Sequence, residues 1–319
     1  MSALFVLLLL IGMAAIVWSA CFVGCGFDPT PKQVTVFDNY QSAVRDTPGL
    51  VAYWPLNDTA GTVATDLGPN HFNGTYTTAP DVTKYDNANF SDAAPGTFTL
   101  NQPNIVAGDV LSATGNPPGD ANPCVFFNGG FVSVPWQAAL GPPLPAQFTL
   151  EAWVVPNWTS FDATNSRSFR AVVGCAAAVG GVFTGFTLYA NPANLWEAAI
   201  GIGSQDVPAT AGSNATPGSN QTIVQGSLYF LVVTYDGTTL TLWVNPADTT
   251  QPPDGSVGAS GFMPLPSPVP FFIGTGRPDL STPLFPFNGY IQDVAFYNVV
   301  LDNQQIATHY MNGLGMTMS

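Results

Sequence analysis

From residue 50 onward the chain is broken into short apolar runs rich in Val, Phe, Tyr, Trp and Thr, each closed by a cluster of Gly, Pro, Asn or Asp. That rhythm constrains the fold more than any other feature, because runs of four to eight residues bounded by turn chemistry suit strands and are too short for stable helices. The clearest predicted strands are 50–54, 124–127, 131–134, 148–155, 171–174, 185–189, 198–201, 229–235, 240–244, 271–274 and 290–297. Asp236-Gly237-Thr238-Thr239 separates two alternating runs and predicts a tight hairpin between them. With 32 glycines, 29 prolines and 46% hydrophobic residues, the chain has many turns and enough apolar mass for one large core. Many short strands with little helix leave a sandwich or a barrel.

Two short helices are expected at the ends of this body. Apolar residues recur at helical spacing from Val36 to Val44 before Pro48, and Asp302 stands where a cap would start a helix running to Tyr310. Residues 77–122 form a Thr-, Asn-, Pro- and Gly-rich stretch too long for an ordinary connection, which predicts an ordered insertion or a functional loop.

Residues 3–23 contain no charged side chain, and 21 residues at about 1.5 Å rise span a hydrocarbon core of roughly 30 Å. This predicts a transmembrane signal-anchor helix within residues 1–27, followed by a linker with a short helix at 28–47, a sandwich at 48–313 with its insertion, and a tail at 314–319. Trp18-Ser19-Ala20-Cys21 also resembles a lipobox, so lipidation at Cys21 stays open; the missing basic n-region and Trp18, where Leu is favoured, weigh against it. The main body is expected to be periplasmic or extracellular. Six sequons, at Asn57, Asn73, Asn89, Asn157, Asn214 and Asn220, lie in turn-rich stretches, and Cys124 and Cys175 are either a disulfide or two buried thiols. Six Lys and Arg against twenty Asp and Glu give a formal charge of −14, which excludes nucleic acid as a natural partner.

Five ordered segments resemble a known family. Pro48-Gly49-Leu50-Val51-Ala52-Tyr53-Trp54-Pro55-Leu56-Asn57, the turn from Asp66 to Thr75, the strand from Phe148 to Val155, the hairpin from Tyr235 to Asn245 and the closing run from Ile273 to Leu301 are similar to laminin-G-like, concanavalin-type jelly-roll domains of bacterial type. The resemblance covers residues 36–313 and implies an antiparallel jelly-roll β-sandwich. It includes both lectins and glucanases, and the retaining glucanases carry paired Glu at E-x-D-x-x-E spacing so that acid and nucleophile share a cleft. Neither Glu151 nor Glu197, the only glutamates here, has that neighbourhood, and no other hydrolase motif is present, so catalysis is not expected.

The resemblance also implies a structural calcium ion held by oxygen ligands, here Asp66, Asn70 and Asp293, with Gln292 where the family commonly has Asp. The plain alternatives are an Asx turn at Asp66 and a surface acid at Asp293. A glycan platform falls on Trp136, Trp158 and Trp196, which lie near turns, whereas Tyr53, Trp54, Trp153 and Trp243 alternate into strands as core. The expected function is a non-catalytic structural or accessory subunit of a membrane protein complex, such as a bacterial respiratory or photosynthetic assembly, contacting lipid and integral membrane partners through the anchor. The alternative is a carbohydrate-binding surface module or lipoprotein, with a glycoside hydrolase as the third reading.

Overall fold

The computed structural model describes residues 40–79, 95–108, 122–141, 146–158, 169–210, 222–265, 269–276, 278–279, 282–283 and 285–316. Residues 3–23, Cys21 and most of the expected linker lie outside these. Among the described residues, no helix is long and apolar enough to cross a membrane.

Among the described residues, two α-helices and eighteen strands follow in chain order. Helix α1 is Tyr40–Asp46, then come β1 (Leu50–Trp54), β2 (Val63–Ala64), β3 (Gly74–Thr77), β4 (Thr97–Gln102), β5 (Cys124–Asn128), β6 (Phe131–Val134), β7 (Phe148–Pro156), β8 (Arg170–Val179) and β9 (Val182–Ala190). The chain continues with β10 (Trp196–Gly201), β11 (Asp206–Thr210), β12 (Tyr229–Tyr235), β13 (Thr239–Val244), β14 (Gly255–Gly258), β15 (Phe271–Ile273), β16 (Pro278–Asp279), β17 (Thr282–Pro283), β18 (Asn288–Tyr297) and α2 (Asn303–Gly313). The first sheet runs β14-β13-β12-β7-β18-β5-β4, and β1 pairs with the end of β18 that β5 leaves free. The second runs β11-β10-β9-β8-β15-β6-β3-β2, and β16 and β17 form a small separate ribbon. All named pairings are antiparallel, as expected of a jelly-roll sandwich.

Local chemistry explains the elements. Gly237 adopts φ 98° in the β12–β13 turn, and Asp236 Oδ1 accepts the backbone N–H of Thr238 at 2.8 Å and of Thr239 at 2.7 Å, closing the predicted hairpin with Tyr235 opposite Leu240. Helix α2 begins with a capping box in which Asp302 accepts from Gln305 N at 2.8 Å and Gln305 Oε1 accepts from Asp302 N at 2.9 Å. The stretch expected as an insertion holds an edge strand, β4, which pairs with β5; residues 80–94 and 109–121 lie outside the described residues.

Between the sheets, Phe148, Leu150, Ala152 and Val154 of β7 meet Phe186 of β9 and Phe271 of β15, and Phe186 stacks on Phe296 of β18 with centroids 5.5 Å apart. The alternate residues of β7, Thr149, Glu151 and Trp153, face outward, yet they are buried too. Helices α1 and α2 cover them, building a second core from Tyr40, Val44, Trp153, Phe230, Tyr297 and Ile306. Gly313 permits this closeness, since a Cβ there would stand 2.1 Å from Trp153 Cζ2. At Thr149, Glu151 and Trp153 the outer face of the first sheet is thus covered by the helices, while further along the same face Phe126 and Tyr290 meet at 4.9 Å and are half-buried.

Candidate functional site

The expected calcium ligands are held in protein hydrogen bonds. Asp66 Oδ1 accepts from Tyr53 N and Gly68 N, each at 2.7 Å, and Oδ2 accepts from Phe72 N at 2.6 Å. That occupies three of about four lone-pair positions and makes Asp66 the hub of an Asx-type turn. Asn70 donates to Val51 O at 2.8 Å. Asp293 is fully buried rather than a surface acid; it sits at φ 56° in a bulge of β18 and accepts the hydroxyl of Tyr53. Tyr53 therefore binds Asp66 through its backbone N–H and Asp293 through its phenol, at opposite ends of one residue. Calcium takes six to eight oxygens at about 2.3–2.6 Å around one point, and among the described residues no group of three or more His, Cys, Asp or Glu side chains is gathered for a metal ion.

The three tryptophans do not form a platform. Trp196 is fully buried and Trp158 is 3% exposed, their rings meeting edge to face at 6.2 Å inside the main core, while Trp136 is half-buried against it. Cys124 and Cys175 are free thiols in opposite sheets, bonded to Pro103 O at 2.9 Å and Leu140 O at 3.7 Å respectively. Burial pushes both thiols up to about 12, with the Asp293 charge adding to the effect at Cys124.

Glu151 is sealed beneath the helices. Its Oε1 accepts the hydroxyls of Tyr40 at 3.0 Å and Tyr297 at 3.1 Å, and Oε2 lies 2.9 Å from His309 Nδ1. Burial, then the Glu151 charge, holds both phenols well above their ordinary range. The Glu151 side chain is fully buried among the described residues.

Glu197 lies on the other sheet and is 9% exposed. Trp196, Ala198 and Ile200 of β10 face the core, so alternation turns Glu197 and Ala199 to the outer face of the second sheet. Register aligns Glu197 with Tyr189 of β9 and Thr210 of β11, and Ala199 with Thr187 and Pro208. Glu197 Oε1 accepts the Tyr189 hydroxyl, and Oε2 accepts from Asn191 Nδ2 at 2.9 Å and Thr210 Oγ1 at 2.6 Å. Asn191 is itself fixed by the β9–β10 turn, its Oδ1 accepting from Ala193 N at 3.0 Å and Leu195 N at 3.1 Å. The result is an oriented carboxylate beside a floor of small side chains.

An aromatic wall stands next to it. Phe169 meets Tyr189 edge to face at 5.3 Å and Phe285 at 4.8 Å, and all three rings are half-buried. Fixed polar groups beside accessible rings can recognise a ligand with hydroxyls on its rim and an apolar face. The sequence alone does not mark this site, because Glu197 belongs to no catalytic pair and its partners Tyr189 and Thr210 come from neighbouring strands. The usable signal was the alternation of Trp196 and Glu197 in one predicted strand.

Comparisons with known proteins follow the architecture. Residues 128–307, more than half of the chain, match a laminin-G-type family model described as the concanavalin A-like lectin/glucanases superfamily. Among solved structures, a mutant of Trypanosoma rangeli sialidase displaying trans-sialidase activity is 15% identical with a TM-score of 0.50, over 89% of this chain and 38% of that one. The binding domain of Paraclostridial Mosquitocidal Protein 1 is 12% identical with a TM-score of 0.48, over 86% and 52%. The botulinum neurotoxin serotype C1 binding domain is 12% identical with a TM-score of 0.48, over 85% and 53%. The chain spans between 38% and 53% of the length of these structures, and at such identities the likeness concerns fold alone. No curated protein matches the sequence.

Proposed function

We propose, for a chain that belongs to the concanavalin A-like lectin/glucanase superfamily, that it is a non-catalytic carbohydrate-recognition module whose ligand lies across the outer face of the second sheet at Glu197. The observation that carries this reading is the Glu197 carboxylate, oriented by Tyr189, Asn191 and Thr210 beside the Phe169 and Phe285 rings. A pyranose offers hydroxyls to fixed acceptors and an apolar C–H face to aromatic rings.

The placement of the two glutamates supports a binding role. Glycoside hydrolysis uses two carboxyl groups roughly 5 to 9.5 Å apart flanking one bond. Glu151 faces outward from the first sheet beneath two helices, and Glu197 faces outward from the second. The two sheets, about 10 Å apart, stand between them.

The uncharged stretch at residues 3–23 supports a further part of the reading, in which the module is held at a membrane surface. Intact-mass measurement of detergent-purified protein tests that part: a soluble species lacking these residues removes it. The accessory-subunit reading rests on the same stretch and requires partners that co-purify in that experiment.

The binding reading is tested on an immobilised glycan panel with the wild type, Glu197→Gln and Ala199→Trp. Glu197→Gln is expected to weaken binding about 10- to 100-fold, the worth of a hydrogen bond to a charged group. Ala199→Trp fills the floor without touching the core and should abolish binding. A folded wild type that binds nothing on a broad panel overturns the reading.

A further inference from the structure

We infer that the first sheet carries a second ligand surface, a strip beside the helices that takes an unbranched neutral oligosaccharide; it shares with the reading above only the class of ligand. One step along the strands from the helix-covered pair Trp153 and Gln292, register aligns Thr99 of β4, Phe126 of β5, Tyr290 of β18 and Val155 of β7 in a row. Their chain neighbours Leu100, Phe127, Ile291 and Val154 face the main core, so alternation turns this row outward. Phe126 and Tyr290 meet at 4.9 Å and are half-buried, and among the described residues the Tyr290 hydroxyl has no hydrogen-bond partner.

A row of amides runs beside these rings. Gln225 Nε2 donates to Asn157 Oδ1 at 3.2 Å, Asn157 Nδ2 to Asn288 Oδ1 at 3.2 Å, and Asn288 Nδ2 to Asn128 Oδ1 at 3.0 Å. All three donors point the same way, so each bond polarises the next, and the row ends on Asn128 Nδ2, from which no described group accepts. Thr97 adds an exposed hydroxyl beside Asn128. Neighbouring strands lie about 4.8 Å apart and rows on one face about 7 Å apart, so the strip from β4 to β7 measures roughly 14 Å by 7 Å. That area is far below the roughly 800 Å² per partner of a stable protein interface. Strands β4 and β5 and residues 285–292 hold no charged side chain, so the strip offers an ion no opposite charge. Rings on one row and amides on the next match a linear sugar chain, whose C–H faces pack on aromatics and whose hydroxyls both donate and accept.

The test is titration calorimetry of the full chain carrying Ala199→Trp, which abolishes binding at the Glu197 face on the opposite sheet. The probes are cellohexaose, xylohexaose and mannohexaose with their disaccharides. At least one hexaose is expected to bind, and about tenfold or more tightly than its disaccharide, which covers only part of the strip. Adding Tyr290→Ala should weaken that hexaose by about tenfold or more. Tyr290→Phe, and Asn128→Asp, which still accepts from Asn288 but offers no outward donor, should each weaken it about 3- to 10-fold. These two variants keep both rings in place, so their effect is independent of any packing loss. A hexaose that binds the wild type but not folded Ala199→Trp overturns the strip and leaves the Glu197 reading standing. Binding that Tyr290→Ala and Asn128→Asp leave unchanged, or equal affinity for hexaose and disaccharide, overturns it too. A wild type silent toward every hexaose overturns the strip, while the broad panel decides the Glu197 face separately.

Discussion

His309 Nδ1 lies 2.9 Å from Glu151 Oε2, and both side chains are buried. The other ring nitrogen, Nε2, lies 2.9 Å from the Thr47 hydroxyl, which donates to Ala43 O at 2.8 Å and so accepts from the ring. The chain of contacts runs from the residue after α1 through α2 to β7, and the hydroxyls of Tyr40 and Tyr297 close it on Glu151 Oε1. One buried carboxylate thus joins two helices to the first sheet.

Removing one partner of such a pair leaves the other buried without compensation, at a cost of roughly 3–5 kcal/mol. Glu151→Leu and His309→Leu are each expected to lose about that much in denaturant unfolding. The double variant should lose clearly less than the sum, because its uncompensated groups are gone together. Additive losses would contradict the network.

Tyr40 and Tyr297 make stability fall in alkali. Burial and the nearby Glu151 charge raise both phenols in the folded state, whereas the unfolded chain ionises them near 10. Raised groups contribute stability that is fully present below about pH 10 and is lost as pH climbs toward the folded values. The two together steepen unfolding by up to about 2.7 kcal/mol per pH unit above that point. Phenolate absorbance should show these two tyrosines ionising only as the protein unfolds, and Tyr297→Phe should soften the alkaline transition.

Cys124 and Cys175, with thiols near 12, should resist alkylation in the native state. At pH 8 roughly one thiol in ten thousand is thiolate, and both are buried. With Cys21 and Cys25 changed to Ser, labelling is expected to appear only on unfolding, and a reductant should leave the melting temperature unchanged. Rapid native labelling at either position would contradict their placement.

Asp66→Ala strips the acceptor from three backbone N–H groups and should destabilise the protein by on the order of 3 kcal/mol. Because those oxygens are already bonded, calcium or a chelator is expected to leave wild-type melting unmoved. A calcium-induced rise in melting temperature that disappears in Asp66→Ala would establish a metal site there.

Much of this architecture was legible in the residues themselves, wherever short-range physics acts alone. The Asp236–Thr239 hairpin and the Asp302 cap are local hydrogen-bond patterns, and the strands around Trp54, Trp153 and Tyr235 follow from apolar runs between turns. Alternation likewise separates Trp196 from Glu197, although only the structure makes clear which of the pair meets the core. Tertiary placement decided everything that depends on which distant surfaces meet. The outward residues of β7 read as an exposed face until α1 and α2 are laid over them. That Tyr53 bonds Asp66 at one end and Asp293 at the other depends on segments more than 200 residues apart in sequence meeting at one strand. Cys124 and Cys175 read as a candidate bridge until they fall in opposite sheets. A strand's pattern records that it has two faces, whereas register across strands 100 or more residues apart determines what each face touches.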